Sequence, residues 1–424
     1  MTIGIGAGGI AGLAIEQLPP PVQATATTST SGGTLPTASL YRYYVTAIND
    51  NGETTVSNEQ SVTTGAGATN SNTVNWAAVT GATGYRIYRT AAAGASGSEL
   101  FLVAVGVVVT YIDTGSLSPA GAYPLTNTAV TPGTYVAPTK FFPFLSESVN
   151  STNETVWRRP IRQSADIIGA VAGNYHPEGD LSMEAMEDVL IYFLWANRTT
   201  IVKTGSAPDF TYTITPTSAA VANKTMSLTI VRNGIVFGYT GICTSNFNFT
   251  IEEGLLNFGT SLMGRDEAVQ AVPIPTWPTT VPFGAGQYTI EIPTGSTVLD
   301  TDTFEFSVED NATPQFRLKS TGRGAQFIQY GERSSTMTMD RDFESRVDYD
   351  NFKNVTAQSV TLTASKGANN SVSIVAPVAI KDTFEVNLSG QGDLVRASIA
   401  YQNVIDGTGK SWQLVIKTQE DIIP

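Results

Sequence analysis

The first residues that could carry chemistry are glycines near the start of the chain. Gly4, Gly6 and Gly9 have the spacing G-x-G-x-x-G, which in dinucleotide-binding domains lets a turn approach a pyrophosphate. That chemistry needs a buried strand before the first glycine and an acidic residue about 20 residues further on. Only residues 1–3 precede the motif here, and three prolines at 19–21 end any helix that follows it. The sequence therefore argues against a flavin or nicotinamide site, and we expect no cofactor.

Side chains for catalysis or metal binding are scarce. His176 is the only histidine and Cys243 the only cysteine, which excludes multi-histidine and cysteine-based metal sites and disfavours a Ser-His-Asp triad. His176 is expected in a turn, at the entry of a predicted helix. The acidic runs 300–302 and 340–344 lack the ligand spacing of an EF-hand and are interpreted as charged loops. We therefore expect no catalytic residue and no metal site.

Length and composition indicate a mainly β protein of two or three domains. The chain has 424 residues, with 39 glycines and 21 prolines, and few stretches have a helical period. Its net charge of −13 argues against tight binding of nucleic acid, which needs a basic patch. The longest apolar run, 189–196, is too short to span a membrane. We expect no signal peptide, because Met1 is followed by neither a basic region nor a sustained apolar core.

Residues 21–131 differ from the rest of the chain by their short β-like runs between Gly, Asn and Ser residues. A hairpin is predicted around Asn51-Gly52, because both residues tolerate positive φ. The runs resemble a fibronectin type III or immunoglobulin-like β-sandwich, although a hairpin usually found at the end of such a domain comes first here. Trp76, Tyr85 and Tyr88 are predicted for its core; the alternative is that they form a ligand surface.

After residue 132 the same order of elements occurs twice. A helix is predicted within 173–197, capped by Asp180 or Ser182, and strands follow it. Beyond a proline-rich link at 272–283 come further strands, a second helix-like segment at 342–353 and more strands. This order predicts two related domains, 132–275 and 276–424.

Several stretches, taken in their order, resemble the tail tube (major tail) proteins of long-tailed bacteriophages. They cover residues 1–20 and 133–424, and no single motif among them is diagnostic. "IGAGGIAGLAIEQ" and "GTYVAPTKFFPFLSESV" are similar to two halves of that family's N-terminal segment. The others are "GAVAGNYHPEGDLSMEAMEDVL", "GYTGICTSNFNFTIEEG", "LMGRDEA" and "LSGQGDLVRASIAYQNVIDGTGKSWQLVI".

The resemblance implies a structural protein of the virion tail, assembled in the cytoplasm of the host bacterium. Tail tube proteins stack as rings into a hollow tube, together with other tail proteins, and double-stranded DNA passes through the tube without tight binding. Segment 1–20 is then the start of a tube domain, interrupted by the inserted domain at 21–131. That inserted domain would decorate the tail exterior and could contact the host surface. The resemblance also implies that each tube domain is a β-barrel or sandwich with one flanking helix. Two tube domains per chain imply a trimeric ring with pseudo-sixfold symmetry, and one implies a hexamer.

Three strands alternate between apolar and acidic or polar residues with a period of two. They are "FNFTIEE", "FEFSVED" and "FEVNLSG", and each therefore has one apolar and one polar face. Acidic residues along a channel would repel the phosphates of DNA. This predicts that Glu252, Glu305, Glu309 and Glu385 face the lumen; the alternative is that they lie on ordinary solvated outer faces.

Two other classes of function remain open from the sequence. The first is a tail-associated adhesin or carbohydrate-binding protein that uses Trp76, Tyr85 and Tyr88. The second is a virion-bound hydrolase with an appended immunoglobulin-like domain, for which the single histidine is unfavourable. Neither alternative predicts assembly into tubes.

Overall fold

The computed structural model describes residues 9–160, 166–218, 224–318, 322–388 and 394–422. The chain forms two compact units. The split unit combines the residues up to Glu16 with Pro132–Ile422, and the inserted unit is Gln17–Thr131. Strands make up 53% of the protein and helices 4%, which confirms the predicted mainly β class.

The elements are numbered in chain order. Strand β1 is Ile10–Ile15, in the split unit. The inserted unit contains β2–β9: Thr27–Ser29, Leu40–Asn49, Gly52–Glu53, Gln60–Thr63, Ser71–Asn75, Gly84–Arg89, Leu100–Val105 and Thr110–Asp113. The split unit continues with β10–β19, Lys140–Phe142, Ser146–Glu147, Asn150–Arg158, Gly169–Glu184, Thr199–Ser206, Asp209–Pro216, Met226–Arg232, Ile235–Glu252, Leu255–Met263 and Asp266–Ala268, and with helix α1, Glu187–Trp195, after β13. It ends with β20–β29, Tyr288–Glu291, Thr297–Val298, Thr301–Glu309, Thr313–Gln315, Phe327–Gln329, Ser334–Asp342, Gln358–Gly367, Asn370–Asn387, Arg396–Asn403 and Gln413–Thr418, and with helix α2, Val347–Lys353, after β25.

The inserted unit consists of two antiparallel sheets with a shared apolar core. One sheet has the order β2–β6–β9, and the other β4–β3–β7–β8 with β5 also on β3. Trp76 and Tyr85 both lie in the core, with ring centroids 5.3 Å apart. Tyr88 is buried as well, but alternation along β7 puts it on the opposite face, where its hydroxyl donates to Glu53. The immunoglobulin-like assignment stays a prediction.

Glu99 in the inserted unit makes the stability of this unit depend on pH. Its side chain is buried, and burial together with the nearby Glu59 carboxylate raises the pKa of Glu99 to about 7. The folded unit therefore holds this proton more tightly than the unfolded chain does. Its contribution to stability is present below about pH 4.5, the ordinary pKa, and is lost as the pH rises through about 7.

We expect Glu99→Gln to remove this pH dependence. The variant should melt roughly 5 °C above the unsubstituted protein at pH 8, because no buried carboxylate has to ionise. Scanning calorimetry between pH 5 and pH 8 measures the effect, with Asp50→Asn at an exposed turn as the matched control. A Glu99→Gln protein that loses stability with pH as steeply as the control would contradict the assignment.

A buried carboxylate, Glu16, connects the N-terminal strand of the split unit to the part of that unit that follows residue 132. Strand β1 pairs with both β10 and β16, and Glu16 follows it with no exposed surface. Glu16 accepts hydrogen bonds from the backbone N–H of Gly133 and Gly241, at 2.6 and 2.8 Å. It also accepts them from the hydroxyls of Thr225 and Ser227, at 2.5 and 2.9 Å. Burial raises the pKa of Glu16, and these four donors partly offset that effect.

Glu16→Ala should destabilise the split unit by about 2–4 kcal/mol, because it leaves four buried donors without an acceptor. Glu154→Ala, which removes an exposed carboxylate from β12, should change the free energy of unfolding by less than about 0.5 kcal/mol. Chemical denaturation of the two variants measures the difference. Equal stability of both variants would show that Glu16 does not hold the two parts of the split unit together.

A series of eight antiparallel strands runs through the split unit, and we call it the long sheet. Its order is β12–β13–β18–β17–β22–β25–β28–β27. The first four strands come from residues 150–263 and the last four from 301–403. The division into two domains, 132–275 and 276–424, stays a prediction, because both stretches belong to one compact unit and share this sheet.

The predicted helix within 173–197 is wrong in its first part. Residues Gly169–Glu184 form β13, so Asp180 and Ser182 lie in a strand and do not cap a helix. The stretch alternates buried and less buried residues from 180 to 184, and β13 has partners on both sides, β12 and β18. Sheet pairing therefore overrides the helical spacing of its apolar residues. The second helix is confirmed but shorter than 342–353, as Val347–Lys353.

Candidate functional site

The register of the long sheet brings the four predicted glutamates to one face. On β17, Glu252 lies two residues after Thr250 and therefore on the same face, and Thr250 lies opposite Glu305 on β22. Glu309 lies opposite Asn246 on the same pair of strands. Glu385 on β27 lies opposite Ser398, whose other neighbour, Asp340, lies on β25 opposite Thr303. Because side chains alternate between the faces of a strand, all four share one side of the sheet.

The same face carries five further carboxylates, and we call it the acidic face. Hydrogen bonds between neighbouring strands agree with the register: Ser261 donates to Asp180 at 2.7 Å, and Asn248 donates to Glu305 at 3.3 Å. The basic side chain of Arg396 lies among the acids and pairs with Asp302 at 2.5 Å. None of the nine acids of this face is buried. The nine are Glu178, Asp180, Glu184, Glu252, Glu305, Glu309, Asp340, Asp342 and Glu385.

The acidic face is concave near the centre of the sheet. A depression of about 320 Å³ lies there, lined by residues of β11, β13, β18, β17 and β22. Its lining includes Asp180, Ser182, Asn246, Asn248 and Glu309. This depression is open to solvent and differs from the enclosed apolar pockets that bind small organic ligands.

The opposite face of the long sheet is the core of the split unit. Phe247, Phe249 and Phe306 are buried there, and Phe193 of α1 packs on Phe258 with ring centroids 5.6 Å apart. Trp412, from the segment before β29, packs on Phe247 at 5.7 Å. Aromatic side chains from both halves of the split unit thus support the strands that carry the acidic face.

A buried ion cluster fixes the place where the two halves meet. Asp310 follows β22 with no exposed surface, and its carboxylate accepts bonds from Arg198 at 2.9 Å and Arg333 at 2.7 Å. Its backbone N–H donates to the carbonyl of Ser245 on β17. Burial lowers the pKa of Arg333, and Asp310 counteracts that effect. The cluster therefore holds β17 and β22 in register at the junction.

The residues that could carry catalysis or bind a metal are not brought together. His176 lies within β13, buried, with its Nε2 atom 3.3 Å from Glu178, so its predicted place in a turn at a helix entry is wrong. Burial raises the pKa of the Cys243 thiol to about 12, which makes it a poor nucleophile. In the part of the chain that the structure describes, no group of three or more His, Cys, Asp or Glu side chains could hold a metal ion. No helix among those residues could cross a membrane.

The sequence contained a signal for the acids that the prediction missed. Glu178, Asp180, Ser182 and Glu184 alternate with other residues at a period of two, which is typical of a strand with one polar face. The apolar residues of the same stretch also fit a helix, and the helical interpretation concealed the pattern.

The sequence of residues 125–402 matches the family described as phage tail tube protein. The match covers more than half of the chain and contains the long sheet except for the last residue of β28. No curated protein matches the chain.

Proposed function

Since this chain belongs to the phage tail tube protein family and is a structural component of the virion tail, we propose that its copies assemble into stacked rings around a DNA channel. The acidic face of the long sheet lines that channel. The observation that carries the proposal is the register, which places the nine carboxylates of the acidic face on one side of the long sheet.

The charge of this face suits conduction rather than binding. A wall that attracts phosphates holds DNA by releasing counterions, whereas a carboxylate-rich wall repels the same phosphates. DNA would then pass through the tube without being retained. The polar but uncharged residues between the acids, such as Asn246, Asn248 and Ser307, keep the wall hydrated.

The repeat of four strands per half supports a ring of three chains with pseudo-sixfold symmetry, and a hexamer is the other outcome. The inserted unit would decorate the tail exterior, where it could contact the host surface. A carbohydrate-binding role for its aromatic residues is less well supported, because Trp76, Tyr85 and Tyr88 are at most 4% exposed and present no ligand surface.

Electron microscopy of the purified protein over a concentration series tests assembly. Hollow tubes or stacked rings are the expected result, and the number of projections per ring distinguishes three chains from six. Dispersed monomers at every concentration, even in the presence of the other tail proteins of the phage, would contradict the proposal.

A further inference from the structure

The two halves of the split unit repeat the same strand order, and one register shift recurs at the same place in both. In the first half β17 pairs with β18, and in the second half β27 pairs with β28. The register shifts between Thr244 and Asn246 in one half and between Lys381 and Thr383 in the other. Asn246 of β17 therefore corresponds to Thr383 of β27. The strand order β12–β13–β18–β17 of the first half matches β22–β25–β28–β27 of the second, so β22 corresponds to β12 and to β11, which precedes it.

At the junction between the two halves, where β17 meets β22, one edge of β17 is paired along most of its length. Residues 235–242 of β17 pair with β16, and residues 246–250 then pair with β22. On β27, residues 370–379 pair with β26 on the corresponding edge. Beyond Ala379, no strand among the described residues pairs with that edge. The edge of β27 that corresponds to the junction is therefore open.

The matching strand at the other end of the long sheet is also open. β12 pairs with β13 through one edge, and no described strand pairs with the other. Its residues 152–158 are exposed. An open strand edge offers a row of backbone donors and acceptors to another strand.

We infer that β27 of one copy pairs antiparallel with the segment at β11 and β12 of the next copy, in the register of the internal junction. This inference rests on the proposed assembly into rings. At the internal junction Asn246 of β17 faces Glu309 of β22. If the two open edges pair in the same way, residues 383–386 of one copy face residues 149–152 of the next copy. The facing pairs are Thr383 with Thr152, Phe384 with Ser151, Glu385 with Asn150 and Val386 with Val149.

The faces of the two edges agree with this register. Thr383 and Glu385 lie on the acidic face, and their partners Asn150 and Thr152 are polar. Phe384 and Val386 lie on the core face, where Val149 is buried. A shift by one residue would set residues of the acidic face on one edge beside residues of the core face on the other.

In the single subunit, two side chains form hydrogen bonds with the backbone at the open edge next to β12. The carbonyl of Val149 accepts hydrogen bonds from the hydroxyl of Tyr239 at 2.9 Å and from Arg232 at 2.6 Å. Arg232 also pairs with Glu147. Pairing with β27 exchanges these bonds for backbone bonds, so the subunit is protected from random edge pairing until a matching edge is presented.

Cysteine cross-linking tests the register. Asn150→Cys combined with Glu385→Cys, in a Cys243→Ser background, places the two thiols on facing residues of different copies, at a separation suited to a disulfide. The control, Ser148→Cys with Glu385→Cys, is shifted by two residues. Under mild oxidation of assembled protein, the first pair should give about tenfold more intermolecular cross-link than the control.

The outcomes separate this inference from the proposed function. Tubes in which the 150–385 pair does not cross-link, or in which the shifted pair cross-links equally well, would overturn the register and leave tube assembly intact. Cross-linked rings that never stack would support the register and contradict the tube. Failure of the unsubstituted protein to form any ring would overturn both.

Discussion

Asp310→Ala is expected to destabilise the split unit by about 3–5 kcal/mol, because it leaves two buried guanidinium groups without their shared counter-ion. The Asp310 carboxylate accepts bonds from Arg198 and Arg333, and both arginines are largely buried. Arg198 follows α1 in the first half and Arg333 precedes β25 in the second. The variant should therefore weaken the junction of β17 with β22 as well as the local packing.

The matched control is Asp302→Ala, which breaks an ion pair at the other end of the same strand. Asp302 and its partner Arg396 have about half of their side-chain surface exposed, so this pair should contribute less than about 1 kcal/mol. Urea denaturation gives both free energies of unfolding. If the two variants differ by less than about 1 kcal/mol, the junction does not depend on the buried cluster.

Replacing Glu252, Glu305, Glu309 and Glu385 together by lysine should convert the acidic face into a DNA-binding surface. The four changes lie on one continuous face, and each reverses a charge, which moves the net charge from −13 to −5. Lysines that contact phosphates release counterions, so we expect affinity for duplex DNA to rise by about 10²-fold or more at 50 mM salt and to fall steeply by 200 mM.

The control carries the same change of net charge away from the acidic face. Asp50, Asp209, Glu332 and Glu344 are exposed residues outside the eight strands, and their replacement by lysine should raise affinity by less than about tenfold. A salt titration of DNA binding compares the two variants. Equal affinities would show that the acidic face has no special relation to DNA.

The sequence predicted individual strands well where one face is buried. In "FNFTIEE" and "FEFSVED" the phenylalanines are buried and the alternate residues are more exposed, because a half-buried strand imposes a period of two. The family resemblance was also readable, since it depends on the order of motifs and not on contacts. The family is confirmed by the match over 125–402, and the assignment of segment 1–20 to a tube domain stays a prediction.

Features that depend on distant pairing could not be read in the same way. The stretch 173–197 fits both periods, and only its pairing with β12 and β18 decides that its first part is a strand. Strand β27 is one strand of 18 residues although Pro377 lies within it. The register that gathers the acids on one face depends on β17 and β22 meeting across more than 50 residues of sequence.

The most direct test of the account is a reconstruction of the assembled tube by cryo-electron microscopy at side-chain resolution. We predict a lumen lined by the acidic face, with Glu252, Glu305, Glu309 and Glu385 pointing towards the axis, and a wall formed by the long sheets of neighbouring copies. A tube in which these four glutamates face outwards, with the lumen lined by other strands, would contradict the account.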